Sequence, residues 1–396
     1  MFGYTSSESR ETGFGSVSTH RATSRSLACL RPRPLRRRRR PNGPEMSDPD
    51  PRLDPYDFLL PAGQIARTPP ADRDGGRLLA RQGGRWLATR VAALDAMLQP
   101  GDVLVVNDTR VLSARLHAVR QSGGRVEVLL LGAGPGPVRA LVKPGRKIRV
   151  GEELALLDPT GATSRHRLIV GDVADGGERW VSLEDDALEV MAACGHIPLP
   201  PYLEREADSD DEHRYQTIFA TEPGAVAAPT ASLHLSNRLV ERLEGRGVEV
   251  CRITLHVGAG TFRNLRSADL DRGRLHRERY RVPLATAAAI GRARERGSRV
   301  VAVGTTVTRT LESAASTDGQ VRAGWGETSL FIQPGFEFRV VDALLTNFHL
   351  PRSSLLMLVC AFGGRDEVLT GYATAVREGF RFYSYGDAMF LTRGER

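Results

Sequence analysis

The sequence predicts an α/β protein with a layered α/β main domain and an inserted small β-barrel domain. Two patterns favour this fold class. Between residues 77 and 190, short apolar segments alternate with Gly, Pro and Asp turns, which is typical of a small barrel. From residue 191 onward, strand patterns alternate with helical patterns, which predicts helices layered on a sheet. Residues 46–76 are expected to pack with 191–396, so that the barrel at 77–190 is an insertion.

The first 45 residues differ from the rest of the chain. They are rich in Ser, Thr, Gly and Arg, contain the run RPRPLRRRRRP and show no apolar periodicity. We expect residues 1–45 to be a disordered Arg-rich extension. An upstream start codon with Met46 as the natural initiator, a nucleic-acid-binding arm and a targeting segment all fit this composition, and the sequence does not choose among them.

The net charge of +8 lies mostly in this extension, which carries ten arginines and three glutamates. The remaining chain has 45 basic and 44 acidic residues and is therefore close to neutral. The overall charge consequently says little about the partners of the folded part.

Several classes of protein are disfavoured by patterns that the sequence lacks. The best apolar run, LLMLVCAF at 355–362, is too short to cross a bilayer, so a soluble protein is expected. The four cysteines form no CxxC pair, which favours a reducing, cytoplasmic setting. There is no P-loop motif, and the HxE of His276 and Glu278 is not followed by the PCxxC of a zinc deaminase.

Two loops rich in small residues each contain a histidine. In GAVAAPTASLHL at 224–235, Thr230 and His234 precede a helix, which suits a polar or anionic ligand group; an ordinary helix cap explains the same residues. In TLHVGAGTF at 254–262, His256 ends a β-branched run that stops at Gly258 and Gly260. This resembles a strand end with a ligand-approach loop, but it lacks the third glycine of a dinucleotide site.

A strand followed by a helix is predicted at AVGTTVTRTLESA, residues 302–314. Ligands collect at the carboxyl ends of strands in open α/β sheets, so Thr305 and Thr306 are expected to offer hydroxyl and amide donors. Arg309 and Glu312 are either further ligand contacts or an i,i+3 surface pair.

Two later segments indicate recognition of a base. The loop LLTNFHLP places Asn347, Phe348 and His349 together before an apolar helix. In FRFYSYGDAMF at 380–390, aromatic side chains such as Tyr385 are expected to stack on a purine-like ring while Asp387 accepts from its exocyclic amine. A buried β-edge is the alternative explanation of the second segment.

The barrel region contributes two charged groups. Asp108 and Arg110 lie in NDTRVLSARL beside apolar strand residues and are candidates for substrate binding. A basic cluster in VKPGRKIRVG is expected to occupy one barrel hairpin and to bind phosphates; solvated turn charges are the alternative. The basic cluster consists of Lys143, Arg146, Lys147 and Arg149.

Taken in order, eleven segments resemble those of the S-adenosylmethionine:tRNA ribosyltransferase-isomerase family of queuosine biosynthesis, from about residue 54 to 393. They are YDF, NDTRVLSARL, GGRVEVLLL, LVKPG, GHIPLPPYLER, RYQTIFA, GAVAAPT, TLHVGAGTF, AVGTT with RTLES, VDALLTNFHLP and YGDAMF. The resemblance implies an α/β domain with an inserted β-barrel and an enzyme that acts without a metal or any cofactor beyond S-adenosylmethionine as co-substrate.

The resemblance also implies the reaction and the partners. The family transfers and isomerises the ribosyl moiety of S-adenosylmethionine onto 7-aminomethyl-7-deazaguanine at the wobble position of tRNA, giving epoxyqueuosine-tRNA with release of adenine and methionine. A monomer is expected. His234 and His256 are the leading candidates for base and proton shuttle, with His349 next. Asp387 or Glu312 is expected to protonate or hold the adenine.

The sequence departs from the family pattern at four positions. Ser232 and Leu235 stand where the family has Gly and Phe, Gly273 replaces a histidine, and Val307 replaces a serine. A divergent paralogue that binds tRNA or S-adenosylmethionine with a changed acceptor or without catalysis is therefore the alternative hypothesis. A transferase with a small-molecule acceptor is a second one.

Overall fold

The computed structural model describes residues 50–258, 260 and 265–393, apart from the side chains of Arg146 and Asp175. The extension predicted at residues 1–45 lies outside the described residues. Within them, the strands are β1 (Arg77–Gln82), β2 (Arg85–Arg90), β3 (Val103–Asn107), β4 (Thr109–Val111), β5 (Arg115–Arg120), β6 (Arg125–Leu130), β7 (Val138–Lys143), β8 (Glu153–Leu157), β9 (Thr163–Val173), β10 (Arg179–Leu183), β11 (Gly195–His196), β12 (Glu222–Ala225), β13 (Glu249–Leu255), β14 (Arg274–Val282), β15 (Val300–Val303), β16 (Gly324–Leu330), β17 (Ala343–Asn347) and β18 (Ala388–Thr392).

The helices begin at capping residues that the sequence supplies. Asp186 caps the first helix, Asp208 the second and Ser353 the seventh, each by accepting backbone N–H groups of the first turn. The α-helices of the described part are α1 (Ala187–Cys194), α2 (Ser209–Arg214), α3 (Asn237–Gly245), α4 (Ser267–Arg272), α5 (Leu284–Glu295), α6 (Thr305–Ala314), α7 (Ser354–Gly363) and α8 (Arg365–Arg377).

A nine-stranded sheet forms the main layer, in the order β16-β14-β13-β3-β15-β17-β18-β1-β2. The central strands β13, β3, β15 and β17 are parallel, whereas β18 runs antiparallel to β17 and parallel to β1. The segments VLVVN and VVAV are buried at every position, as expected for parallel strands covered on both faces.

Helices cover one face of this sheet, and α3 with short 3₁₀ turns covers the other. On the first face, Val105 and Leu344 join Leu311 of α6 in one apolar core. On the second face, Leu104 and Leu345 join a second core; its helix-side members include Leu94, Leu239 and Leu243. The layered α/β architecture is therefore confirmed.

Six strands form a closed barrel in the order β5-β6-β7-β10-β9-β8, because β8 also pairs with β5. The short strand β11 extends β5 outside the ring. Alternate residues such as Leu116, Val128 and Leu168 fill the interior, and α1 adds Val190 and Met191 to the same core. The expected small β-barrel is present.

The barrel begins later in the chain than the sequence pattern predicted. The strands β1, β2 and β3, at 77–107, belong to the nine-stranded sheet, although the sequence pattern assigned them to the barrel at 77–190. Short apolar segments between turns look alike in both architectures, so the pattern alone does not show which sheet a strand joins. The barrel strands begin at Arg115.

The segment before β1 packs against the main sheet, as expected for residues 46–76. Leu53 and Tyr56 lie in the first apolar core, and Ile65 forms an isolated β-bridge with Phe382. Across the described residues, no helix combines the length and apolar character needed to cross a membrane.

Candidate active site

The predicted ligand motifs converge at one edge of the main sheet. Because β13, β3, β15 and β17 are parallel, the residues that follow their carboxyl ends lie side by side. The antiparallel neighbours β14 and β18 run the opposite way and bring Glu278 and Asp387 to the same edge. We call this region the carboxyl edge.

His256 directly follows β13, and its Nδ1 lies 2.9 Å from the hydroxyl of Thr109, the first residue of β4. The imidazole is half-buried. Burial, assisted by the positive charge of Arg279, lowers the pKa of His256, so the ring is neutral at pH 7. Gly224 leaves room for this ring, since a Cβ at that position would lie 2.5 Å from Nδ1.

Asn107 and Asp108 fasten the ends of β3 and β13 to each other. The Asn107 amide group donates to the carbonyl of Leu255 at 3.0 Å and accepts from its N–H at 3.0 Å. A carboxylate oxygen of Asp108 accepts from the Thr254 hydroxyl at 2.7 Å, and burial raises the pKa of Asp108. The proposed substrate contact Asp108 is thus an internal anchor, whereas Arg110 is exposed in β4.

The loop after His256 is held by a buried ion pair. Glu278 accepts from the N–H of Gly258 at 3.1 Å and pairs with Arg309. Burial opposes ionisation of Glu278, but the hydrogen bond from His276 and the charge of Arg309 lower its pKa to about 2.

The glycines of this loop have an internal explanation. The His276 ring packs directly against Gly260, where any Cβ would overlap it, and lies 3.6 Å from a Cβ placed at Gly258. Close approach of His276 therefore accounts for Gly260, whereas a side chain at Gly258 would make only ordinary contact with the ring. The neighbouring Ala259 and residues 261–264 lie outside the described part.

The amino terminus of α6 points at the carboxyl edge. Thr305 and Thr306 form its first positions, and the Thr306 hydroxyl lies 3.5 Å from the side-chain nitrogen of Asn107. Gly304 precedes the helix at φ 94°, and a Cβ there would lie 3.3 Å from that of Ala231. The first-turn amides of such a helix favour an oxygen or carboxylate of a ligand.

Further along α6, neither of the two expectations for Arg309 and Glu312 is met. Both side chains are buried, so they are not a surface pair, and Arg309 pairs with Glu278 instead. The Glu312 carboxylate accepts three backbone N–H groups, from Arg339, Val340 and Val341, at 2.8 to 3.1 Å. Because these amides precede β17, Glu312 anchors the opposite edge of the sheet and does not hold adenine.

His234 lies at the end of the 3₁₀ helix Thr230–His234 and is 3% exposed. Its Nε2 lies 3.0 Å from the Asn347 side-chain nitrogen, which also donates to the carbonyl of Tyr383. Since an amide nitrogen only donates, Nε2 accepts, and the neutral ring carries its proton on Nδ1. Burial lowers the pKa of His234 to about 4, with a smaller contribution from Arg381.

Asp387 borders the His234 side chain through Gly76, where a Cβ would be 3.6 Å from both. The Asp387 carboxylate accepts from the backbone N–H groups of Arg77 at 2.9 Å and Arg381 at 2.7 Å. These bonds tie the start of β1 to the loop before β18. Asp387 is thereby positioned as a structural anchor beside His234 rather than as a free acid.

The aromatic residues proposed to stack on a base are instead part of the core. Phe348 is fully buried against Tyr372, Phe380 and Phe382. Tyr385 is also buried, and its hydroxyl donates to Asp211 at 2.6 Å. The apolar pattern in these segments reflects packing: Phe348 is enclosed by other rings, whereas Tyr385 also lines a small cavity beside His234.

The three histidines divide between the two faces of the sheet. Residues of β13 and β17 alternate between faces, which places His256 and Asn347, with His234, on the side of the second core. His349 bonds to Thr346 at 2.8 Å on the other face, and burial lowers its pKa to about 3. His349 thus lies on the same face as Asn107 and α6, and its catalytic role stays a prediction.

The two remaining histidines are well separated. The strands β13 and β17 are three strand spacings apart, which is about 14 Å. The two imidazoles therefore belong to different strand ends, and their assignment as base and proton shuttle stays a prediction. Between β13 and β17 the edge contains the end of β3, at Asn107, and the end of β15, which leads into Thr305 and Thr306.

The departures from the family pattern have different structural settings. Leu235 and Val307 are fully buried in the two apolar cores. Gly273 ends α4 with φ 60°, a conformation that glycine adopts without strain. Ser232 is fully buried, and its hydroxyl has no hydrogen-bond partner in the described residues. Ser232 is thus the one departure that adds a polar group to the edge.

The basic cluster of the barrel is exposed but does not occupy a hairpin. Lys143 ends β7, and its Nζ lies 3.7 Å from Glu127, while Lys147 and Arg149 are exposed in the connection to β8. The side chain of Arg146 is outside the described part. Since β7 and β8 do not pair with each other, this connection crosses the end of the barrel. That end is remote from the junction with the main sheet before β5.

Sequence reasoning missed several residues of the edge. Asn107 and Thr109 lie in the motif NDTRVLSARL, in which only the charged residues Asp108 and Arg110 were predicted to bind substrate. Glu278 was considered only as part of a metal-binding HxE motif. The available signal for His276 and Glu278 was their i,i+2 spacing in a strand, which places both side chains on one face.

These features define a class of protein. Polar groups from four parallel strands and one helix terminus meet at the carboxyl edge of an open α/β sheet, the usual ligand-binding position in α/β enzymes. Residues 53–391 match the model of a family described as queuosine biosynthesis protein. The chain belongs to this family.

Individual relatives have the same length as the matched part. One S-adenosylmethionine:tRNA ribosyltransferase-isomerase, of Anaeromyxobacter dehalogenans strain 2CP-1, is 50% identical and matches over 86% of this chain and 99% of its own. Another, of Aromatoleum aromaticum, is 48% identical over 86% and 97%. A crystal structure of the S-adenosylmethionine tRNA ribosyltransferase of Thermotoga maritima, 33% identical, covers 85% of this chain and 99% of that chain with a TM-score of 0.48.

Proposed function

We propose that this protein is an S-adenosylmethionine:tRNA ribosyltransferase-isomerase. It transfers the ribosyl moiety of S-adenosylmethionine to the aminomethyl group of 7-aminomethyl-7-deazaguanine at the wobble position of tRNA. The sugar is isomerised to an epoxycyclopentanediol, and adenine and methionine leave. The observation that carries this proposal is the 46–50% identity with ribosyltransferase-isomerases over nearly their whole length.

His256 is the base that starts the reaction. The sulfonium of S-adenosylmethionine acidifies the neighbouring C5′ position, so a neutral imidazole can remove a proton there. The lowered pKa of His256 keeps the ring neutral at pH 7, and its partial exposure leaves it accessible. Thr109 orients the ring through Nδ1, which leaves Nε2 as the atom that accepts the proton.

His234 acts differently because it is enclosed. With Nε2 occupied by Asn347, only its Nδ1–H remains to donate, and it would donate toward the leaving adenine or a ribose oxygen. The reaction is redox-neutral overall, so no redox cofactor is required. The protein acts as a cytoplasmic monomer with tRNA and S-adenosylmethionine as substrates.

The experiment is incubation of the protein with S-adenosylmethionine and tRNA that carries 7-aminomethyl-7-deazaguanine, followed by mass spectrometry of the nucleosides. We expect epoxyqueuosine together with stoichiometric free adenine and methionine. The same tRNA with an unmodified wobble guanine is the control and should release no adenine. Binding of both substrates without adenine release would contradict the proposal and favour a non-catalytic paralogue, while conversion of the free base would indicate a small-molecule acceptor.

A further inference from the structure

An exposed row of arginines runs along β14. The segment RLHRERYRV places Arg277, Arg279 and Arg281 at every second position, so that all three point to one face of the sheet. The alternate residues Tyr280 and Val282 point to the apolar core on the other face.

A tryptophan completes this surface from the neighbouring edge strand. Trp325 of β16 pairs in register with Arg281 and is 56% exposed. The guanidinium carbons of Arg279 and Arg281 lie 5.2 and 5.8 Å from the centre of the indole ring. We call Arg277, Arg279, Arg281 and Trp325 the arginine–tryptophan surface.

The charge of this surface is largely uncompensated. Arg277 lies 3.6 Å from a carboxylate oxygen of Glu327, and both side chains are exposed. Among the described residues, no carboxylate is within ion-pair distance of Arg279 or Arg281. The surface therefore combines a net positive charge with an exposed aromatic ring, which is the combination that binds single-stranded nucleic acid.

The arginine–tryptophan surface is continuous with the carboxyl edge. The His256 N–H donates to the Arg279 carbonyl at 3.1 Å, so the two residues are cross-strand neighbours. Their side chains lie on the same face, and the positive charge of Arg279 contributes to the lowered pKa of His256. A polymer with one unit at His256 would thus extend its next units over Arg279, Arg281 and Trp325.

We propose that this surface binds the single-stranded nucleotides next to the nucleotide being modified, with one base stacked on Trp325 and phosphates at Arg279 and Arg281. The identity of the RNA as a tRNA anticodon loop rests on the proposed function. The surface itself predicts RNA binding that does not require turnover.

The test measures binding of an anticodon stem–loop RNA with an unmodified wobble guanine, by fluorescence polarisation. Trp325→Ala should weaken binding about 5- to 150-fold, the usual range for one lost base stack. The double variant Arg279→Gln with Arg281→Gln should lower the dependence of log affinity on log salt by about 0.7 for each lost phosphate contact. The affinity for S-adenosylmethionine should stay unchanged in Trp325→Ala.

Matched controls use exposed residues elsewhere. Trp180→Ala removes a barrel tryptophan that is 42% exposed, and Arg85→Gln with Arg246→Gln removes two exposed arginines. These variants should bind RNA like the wild type. RNA also should quench tryptophan emission in the wild type but not in Trp325→Phe.

The inference is overturned if Trp325→Ala and the double arginine variant bind RNA with unchanged affinity and salt dependence. It is also overturned if sedimentation shows a wild-type dimer that Trp325→Ala converts to a monomer, because the surface would then join two copies. Failure of the proposed function is a separate outcome, since it would leave the wild type unable to release adenine whatever the variants bind.

Discussion

The two halves of the carboxyl edge differ in how they hold a histidine. His256 is half-buried beside a hydroxyl and next to exposed arginines, whereas His234 is enclosed and bonded to an amide. Both were predicted from the same pattern, an imidazole in a loop of small residues. The difference shows that the pattern locates the edge, while the elements packed over it decide which ring is accessible to substrate.

The largest effect is expected at the ion pair that supports the His256 half. Glu278→Gln leaves Arg309 as a buried charge without its partner and should lower the free energy of unfolding by about 3–5 kcal/mol. Denaturant unfolding measures this loss. Glu327→Gln, which removes an exposed partner of Arg277, is the control and should cost less than about 1 kcal/mol. Equal losses of unfolding free energy in the two variants would show that burial does not strengthen the contribution of the Glu278–Arg309 pair to stability.

The second prediction concerns catalysis by the accessible ring. His256→Ala should lower the single-turnover rate about 10²-fold or more, while the melting temperature and the affinity for S-adenosylmethionine change little. His213→Ala removes an exposed histidine and should leave the rate unchanged. A well-folded His256→Ala protein with a near-normal rate would transfer the role of base to another group.

The enclosed ring should instead affect stability through pH. The pKa of His234 is about 4 in the folded protein and about 6.5 when unfolded, so the unfolded chain binds a proton first as the pH falls. Folding stability from this group is complete above pH 6.5 and is lost toward pH 4, by about 2 kcal/mol between pH 7 and 5. Unfolding free energies of the wild type and His234→Gln at both pH values measure it. The same pH dependence in both proteins would contradict this assignment.

The smallest effect is expected at the basic cluster of the barrel. The described side chains of Lys143, Lys147 and Arg149 lie at the barrel end remote from the carboxyl edge, so the cluster is expected to contact only RNA far from the reacting nucleotide. Neutralising Lys143, Arg146, Lys147 and Arg149 should weaken binding of full-length tRNA and flatten its salt dependence, without changing the affinity for the anticodon stem–loop. A loss of stem–loop affinity as large as that of Trp325→Ala would contradict the proposed division between the two basic surfaces.

The sequence predicted the layers of the fold and the location of the site better than the individual contacts. Strand ends in α/β sheets collect ligands for topological reasons, so His256, Thr306 and Asn347 all lie along the carboxyl edge, at different strands. Glu312 was assigned wrongly because a carboxylate that accepts backbone amides looks the same in sequence as one that meets a ligand. Phe348 and Tyr385 were assigned wrongly because aromatic residues serve cores more often than ligands.

The buried hydroxyl of Ser232 illustrates a further limit. Substitution of a glycine by serine is visible in the sequence, but whether the new group finds a partner depends on segments distant in the chain. The predicted start of the barrel was wrong for a similar reason. The strand β1 pairs with β18, which lies some three hundred positions away in the sequence. Strands that pair across such a long sequence separation leave no local pattern in the sequence that would identify their partners.

The place of β18 also determines when the protein can fold during synthesis. This strand lies between β17 and β1, and its residues Ala388–Thr392 come some three hundred positions after β1 in the chain. Until they leave the ribosome, β1 and β2 have no neighbour that joins them to the central strands, and the nascent chain exposes an unpaired edge at β17. The loop with Asp387, which orders the surroundings of His234, is completed at the same moment. Closure of the β1–β2 side of the sheet and ordering of the His234 surroundings are consequently coupled, because both depend on β18.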